Sequence, residues 1–240
     1  MDKSILVFGG SGFVGSAICK YALSKGIKVL AVSRSGKPKR PEPWQNSVEY
    51  IKGDAMDQST YSSLIPSVSA VVHSIGVLLD SKGPFNLKNI YEGSYEHMNR
   101  DTALRILEIL ENKNKPFVYI SAERGMFFSP GYLNTKREVE TFLHLKQDCI
   151  SSTIIRPGFM YSKNNNMLKT ISCGINLLNS PDKFISSFGA KYFSQTFIPA
   201  RSLDVDVVAK VAVLGCFEKE IVGKTLDVDD IDRVAKEFKD

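Results

Sequence analysis

"SILVFGGSGFVGSAICKYALSKGIKVLAVS", residues 4–33, decides how the rest of the chain is read. An apolar, partly β-branched run (4–10) ends in paired glycines. Residues 14–26 then carry apolar side chains at helical spacing and stop at Gly26, and residues 28–33 are apolar again. Strand, helix, strand in this span is a βαβ unit. The glycines fit GxGxxG through Gly10, Gly12 and Gly15, and GxxGxxG through Gly9, Gly12 and Gly15. A glycine pattern alone is weak evidence. This one closes the first strand and opens the first helix, where a pyrophosphate needs close backbone approach and a helix N-terminus. The turn Gly9, Gly10, Ser11, Gly12, Phe13, Val14, Gly15 is therefore expected to hold a nucleotide, against the plainer account of a tight βα turn without a ligand.

Working outward, the alternation persists. Apolar strands are predicted at 48–53, 69–76, 117–121 and 152–158, and helices near 57–65, across 94–112 and across 132–147. Six apolar strands separated by helices predict an α/β fold with a doubly wound parallel sheet of Rossmann type. The pattern loosens after Pro157. Residues 203–219 read as an amphipathic helix, followed by a short strand near 222–228 and a terminal charged helix. Residues 159–202 and 220–240 are expected to form a small lid on a single domain spanning 1–240. With 240 residues, 43% of them hydrophobic, one large core suffices.

Composition narrows the function classes. The excess of Lys and Arg over Asp and Glu is 31 − 26 = +5, too mild for the dense basic stripes of a nucleic-acid binder. Cys19, Cys149, Cys173 and Cys216 show no CxxC spacing and read as reduced thiols. His73, His97 and His144 are too scattered to make a metal site the default. The longest uncharged stretch, 58–79, is broken by Pro66 and six serines, so no transmembrane segment is predicted. No cleavable leader is read, because the first apolar strand begins at Ser4.

The cofactor preference follows from a missing acid. An NAD site usually carries Asp or Glu at the end of the second strand to bind the ribose 2′-OH. Here that position reads Ser33–Arg34, and residues 3–41 hold no acid and eight cations, with Arg34, Lys37, Lys39 and Arg40 clustered. A guanidinium that stacks on adenine and pairs a 2′-phosphate suits NADP(H) over NAD(H). The competing account is a solvated basic loop, or one touching anionic lipid. After the third strand, Asp54 and Ala55 lie where the adenine would pass, and Asp57 is the better helix N-cap. Ser74, Ile75 and Gly76 end the fourth strand beside the cofactor ribose, and His73 reads as a packing residue.

Tyr132 and Lys136, in "GYLNTKREVE" (131–140), begin the helix after the fifth strand, where i and i+4 share a face. A nearby ammonium is expected to lower the phenol pKa and make it a usable proton donor. Tyr21 and Lys25 show the same spacing behind the glycine turn, where no chemistry is expected.

"VFGGSGFVG", "SRSG", "KGD", "HSIG", "MNRDTA", "FVYISA", "YLNTKREVE" and "IIRPG", in this order, resemble the atypical, epimerase-like branch of the short-chain dehydrogenase/reductase superfamily over residues 4–160. Within it the chain is similar to the group containing the NADPH-binding accessory subunit of respiratory complex I. It is also similar to the fungal mitochondrial short-chain-dehydrogenase-like proteins of coenzyme Q (ubiquinone) biosynthesis. That resemblance implies a Rossmann fold, an NADP(H) site, peripheral association with the inner mitochondrial membrane and partners in the ubiquinone-biosynthesis complex. It makes Tyr132 and Lys136 the catalytic pair and Gly9, Gly12 and Gly15 the pyrophosphate turn. Asn99 supports the active-site helix and Pro157 lies beside the nicotinamide. The family's serine after the fifth strand has its nearest counterpart in Ser121. Ser121 stands one or two positions early, with Ala122 and Glu123 where the hydroxyl is wanted and Ser129 in a loop nearby.

Two functions are compatible with these residues. One is an NADP(H)-dependent oxidoreductase acting on a quinone precursor or another hydrophobic carbonyl compound. Seven aromatics within 159–200 (Phe159, Tyr161, Phe184, Phe188, Tyr192, Phe193, Phe197) and "GMFF" (125–128) would line its apolar pocket, or simply form the lid's own core. The other is a nucleotide-binding assembly or regulatory subunit. A sugar-nucleotide epimerase fits the branch but needs more chain than follows Pro157.

Overall fold

A computed structural model describes residues 3–39, 41–77, 93–111, 114–123, 130–163 and 200–238. Arg40, Cys173, "GMFF", Ser129 and the lid aromatics from Phe184 to Phe197 lie outside the described residues.

β1 (Ser4–Phe8), β2 (Lys28–Ser33), β3 (Glu49–Lys52), β4 (Ala70–His73), β5 (Phe117–Ile120), β6 (Ser152–Ile155) and β9 (Thr225–Leu226) make one sheet. The order is β3-β2-β1-β4-β5-β6-β9, and every pairing is parallel. β1, β4 and β5 are buried along their whole length, which is why their sequences are unbroken apolar runs rather than alternating ones. The chain reverses direction across the sheet between β1 and β4, and in open α/β sheets ligands bind at such a switch point, outside the carboxyl ends of the strands.

Two apolar layers cover the sheet. On one face α1 (Phe13–Ser24), α4 (Val205–Phe217) and α5 (Val228–Glu237) bury Ile18, Val208, Val211 and Ile231 against Ile5, Val72 and Val118. On the other, α2 (Thr102–Leu110) and α3 (Pro130–Leu145) bury Ile106, Leu107, Val139 and Leu143 against Leu6, Phe8, Phe117 and Tyr119. α2 opens with a π-helical turn, Glu96–Asp101, and continues as a regular helix over Thr102–Leu110. Such wide turns often mark functional positions.

Three expectations are corrected. The segment 57–65 is no continuous helix: Asp57 caps a short 3₁₀ turn (Gln58–Thr60), and a second one forms at Ile65–Ser67 around Pro66. Proline at the start of a turn and serines that bond nearby backbone favour such short pieces. Helix α4 is buried on most of its circumference rather than amphipathic, because it packs on the sheet and against both α1 and α5. Residues 220–238, expected in the lid, instead supply the seventh strand and α5 packed on α4. Of the lid itself, the described part is a small parallel pair, β7 (Met160–Tyr161) with β8 (Leu203–Asp204).

Candidate active site

A cleft of about 480 Å³ opens at the carboxyl ends of β1, β2, β4 and β5. Its floor is the glycine turn. Gly9 holds φ +83°, a left-handed conformation that only glycine adopts cheaply. A Cβ on Gly15 would lie 2.2 Å from the Gly9 oxygen, and one on Gly10 would lie 2.6 Å from Ala31 Cβ. Those two glycines let α1 tuck against the turn and the turn against β2, and neither lines the cleft. Gly9, Ser11, Gly12, Phe13 and Val14 do. Helix α1 starts at a Gly12 cap with no side-chain acceptor and has no acid in its first turn. Its positive end thus has no compensating group from the helix's own cap or first turn, and a phosphate is the group such an end attracts. The cradle fits a dinucleotide.

At the β2 end, Ser33 and Arg34 line the cleft together with Ser35. The Ser33 hydroxyl donates to the Gly36 carbonyl at 2.8 Å and closes the loop, so it is Arg34, exposed at the rim, that is positioned to meet a ligand charge. Lys37 and Lys39 are exposed but are not among the wall residues. Asp54 and Ala55 line the same end. The Asp54 carboxylate also accepts from the Met56 N–H at 2.9 Å, which ties its turn down.

Ser74, Ile75 and Gly76 form the wall beyond β4, with the Ser74 hydroxyl donating to the Phe8 carbonyl at 2.7 Å. Behind them Asn99 is fully buried in the π-helical turn. Its amide oxygen accepts from the Val77 N–H at 2.9 Å and its amide nitrogen donates to the Val77 carbonyl at 3.4 Å, so it braces the exit of β4 without lining the cleft. Pro157 is likewise behind the wall, where its carbonyl accepts from the Glu123 N–H at 2.9 Å. His73 is buried, and its Nε2 lies 3.0 Å from the Thr102 hydroxyl. That hydroxyl itself donates to the Met98 carbonyl, so His73 is the donor between them. Burial, and then the Lys136 charge, hold its pKa well below the usual histidine range.

Tyr132, Lys136 and Ser121 all reach the cleft. The Lys136 ammonium is buried and donates to the Ile120 carbonyl at 2.8 Å and the Ile75 carbonyl at 3.4 Å, 4.8 Å above the Tyr119 ring. Burial pulls its pKa down to about 7, with Glu140 opposing. The expectation that this ammonium acidifies Tyr132 is overturned. Burial, reinforced by Tyr95, pushes the phenol up to about 12. Lys136 itself points its protons at two backbone carbonyls. Tyr95 packs edge-on against Tyr132, ring centres 5.8 Å apart. The Ser121 hydroxyl donates to Glu140 Oε1 at 2.5 Å rather than standing free at the strand end. Glu140 is itself gripped by Arg137 and Arg156.

Ser35, Gly53, Met98 and Thr102 also line the cleft, within motifs that carry the family resemblance but at positions given no role there; His97 and Met160 line it too and carried no distinct signal in the sequence. Met98 and Thr102 stand four residues apart and share a helix face, and His97 adjoins Met98 in the π-helical turn. The accidental pair is elsewhere: Lys25 Nζ sits over the Tyr21 ring at the far end of α1.

Glycine turn, switch-point cleft and inward Tyr–Lys pair together define a nucleotide-binding Rossmann protein of the epimerase and short-chain dehydrogenase type. Residues 5–127 match the family model described as the NAD dependent epimerase/dehydratase family, and the chain belongs to that family. It is 31% identical to MIOREX complex component 2 of Saccharomyces cerevisiae over 231 residues, 77% of this chain and 83% of that protein. It is 32% identical to an uncharacterized chloroplastic protein of Arabidopsis thaliana over 209 residues, 84% of this chain and 64% of that protein. Among solved structures, a short-chain type dehydrogenase/reductase from Mycobacterium ulcerans superposes with TM-score 0.66 at 17% identity, covering 98% of this chain and 90% of that one. That last likeness is one of fold.

Proposed function

We propose that the chain is an NADP(H)-binding oxidoreductase that acts on a hydrophobic, quinone-like carbonyl compound in mitochondrial ubiquinone biosynthesis. The observation that carries this reading is the convergence of Tyr132 and Lys136 on the wall of the same cleft whose floor is the glycine turn. Arg34, in place of an acid at the end of β2, supports NADP(H) over NAD(H). Met98 and Met160 on the walls support an apolar substrate. A bound nicotinamide nucleotide would supply the hydride. Tyr132 delivers the proton to the substrate oxygen, and its high pKa makes it a donor that stays protonated until the transfer. Lys136, poised near neutrality, reprotonates it. The mitochondrial setting, peripheral to the inner membrane, rests on the resemblance of the motifs. The chloroplastic description of the plant relative supports an organelle in general.

One observation favours a second reading, a nucleotide-binding assembly subunit without turnover: the Ser121 hydroxyl is committed to Glu140. That a yeast relative is named as a complex component accords with it.

Two experiments separate them. Calorimetric titration is expected to show NADPH binding about tenfold or more tighter than NADH, the size of effect one charge-assisted pair supplies; equal affinities reject the NADP(H) preference. In cells lacking the protein, Tyr132→Phe is expected to abolish rescue of quinone levels while folding and NADPH binding persist. Full rescue rejects the oxidoreductase and leaves the assembly subunit.

A further inference from the structure

Lys136 can return a proton to Tyr132 only if its ammonium keeps one place in the cleft wall, and a lysine carries that charge on a flexible four-carbon stem. Two backbone carbonyls fix it in part, Ile120 at 2.8 Å and Ile75 at 3.4 Å. A further contact is the Tyr119 ring, whose centre lies 4.8 Å from Nζ. The negative face of an aromatic ring attracts an ammonium and has little hold on a neutral amine.

Tyr119 is itself held from several sides. It is fully buried on β5, and strand alternation sends its side chain to the face covered by α2 and α3, while Val118 and Ile120 point to the other. Its hydroxyl donates to the Asn99 carbonyl in the π-helical turn at 2.9 Å. The carbonyl one residue earlier, on Met98, accepts from the Thr102 hydroxyl at 2.9 Å, so side chains hold two successive carbonyls of the turn. The His73 ring packs against Tyr119, centres 5.4 Å apart and planes tilted by 36°. As the Nε2–H donor to Thr102, with its pKa held low, that imidazole is neutral and brings no competing charge. At Gly76 the space closes: a Cβ there would lie 3.3 Å from Lys136 Nζ and 3.1 Å from Asn99 Oδ1. Tyr119, Asn99, Gly76 and Lys136 thus make one packed cluster where the π-helical turn meets α3.

We propose that Tyr119 is a positioning residue: its ring holds the Lys136 ammonium at the strand ends, and its hydroxyl ties that ring to the π-helical turn, so that the proton source on α3 and the turn that carries Met98 keep one fixed relation. The inference rests on the oxidoreductase reading only in the use made of the proton. In that use Tyr132 gives its proton to the substrate oxygen, and Lys136 returns one to the phenolate and is left as a neutral amine. The charged lysine, not the neutral one, is the state the ring prepares. The other titratable groups that share these surroundings are His73 on β4, His97 in the π-helical turn, and Tyr132 and Glu140 on α3. A change of ring at position 119 leaves all of them in place.

The test compares three versions of the full chain: wild type, Tyr119→Phe, and a protein with pentafluorophenylalanine placed at position 119. The fluorinated ring keeps the size of the phenyl but turns its face positive, so it removes the seat of the cation without opening a cavity. In protein labelled with ¹³C-lysine, the Lys136 Cε resonance is assigned by its loss in Lys136→Met and then titrated. Its midpoint is expected near pH 7 in wild type, unchanged in Tyr119→Phe, and about one pH unit lower in the fluorinated protein. Oxidation of NADPH with 4-nitrobenzaldehyde as the carbonyl probe is expected to fall as pH rises past the same midpoints, because only the ammonium can return a proton. Tyr119→Phe, which frees the ring from the turn, is expected to lower kcat about tenfold at unchanged NADPH affinity. Equal midpoints in the fluorinated and Tyr119→Phe proteins overturn the hold of the ring, and a wild-type kcat in Tyr119→Phe overturns its tie to the turn. A midpoint that moves as expected in a protein that never oxidises NADPH upholds the positioning of Lys136 and overturns the oxidoreductase reading.

Discussion

Lys136 is the residue whose chemistry and burial conflict most. An ammonium in this position has lost its water, and two carbonyls and a tyrosine face replace it only in part. The result is a pKa near 7 against an ordinary 10.5. The folded state therefore holds this proton less tightly than the unfolded chain does. The sign is fixed: the penalty is fully present below about pH 7 and fades as pH rises toward 10.5, with a slope of at most about 1.4 kcal/mol per pH unit. Lys136→Met removes the penalty. It is expected to be more stable than wild type to urea at pH 6, with the gap closing toward pH 10, while NADPH oxidation is lost. A gap that is independent of pH would show that the ammonium is not held half-neutral. The sequence located this lysine and its tyrosine through their place after the fifth strand. It could not show the direction of either pKa shift. Those depend on how far each side chain leaves solvent, which nothing in a four-residue spacing encodes.

At the scale of elements, α3 is joined to the sheet by more than apolar contact. Glu140, only 2% exposed, accepts from Ser121 at the end of β5, from Arg156 beyond β6 and from Arg137 one turn earlier on the same helix. Burial alone would raise its pKa, but the bonds from Arg156 and Ser121 and the charge of Arg137 hold it below the usual carboxylate range. Arg137 also donates to the Glu123 carbonyl at 2.7 Å, so one carboxylate fixes the helix that carries Tyr132 and Lys136 against both strand ends. Glu140→Ala leaves two guanidinium groups without their shared partner. It is expected to cost about 3–5 kcal/mol in denaturant unfolding, with Glu140→Gln recovering part of the loss. A cost near zero would mean that apolar packing alone sets the position of α3. Elements were legible where one physical preference dominated. β1, β4 and β5 are buried on both faces and read as apolar runs, and α3 shows its helical period. The 3₁₀ turns around Pro66 and the π turn at Asn99 were not legible, because each is a compromise between local hydrogen bonding and tertiary packing. Glu140 was passed over for a related reason: its partners Ser121 and Arg156 are 19 and 16 residues away, and only the sheet brings them together.

On the scale of the whole molecule, the two sides of the sheet are filled from different parts of the chain. α2 and α3 come from the middle, whereas α1 shares its layer with α4 and α5 from the far end. Gly215 fits α4 closely against β6, where a Cβ would lie 3.0 Å from Thr153, and the Thr153 hydroxyl donates to the Gly215 carbonyl at 3.1 Å. A chain cut before residue 200 keeps the whole glycine turn and both Tyr132 and Lys136. It is nevertheless expected to lose the near-ultraviolet dichroism of fixed aromatics and to bind a hydrophobic dye, as in a molten state. Retention of a cooperative thermal transition and of NADPH binding in that fragment would show that α4 and α5 are accessory.

The shared layer of α1 and α4 also sets a clock. At about 5–20 residues per second, a ribosome needs roughly 10–40 s to pass from α1 to the end of α4. For that interval Ile18, Cys19 and the apolar side of β1 have no cover, although the motif that reads as a nucleotide site is already complete. A newborn chain is then at its most adhesive just when it first carries its signature. Chaperone demand in this protein should therefore track how fast the stretch from α1 to α4 is translated, more than any feature of the cleft.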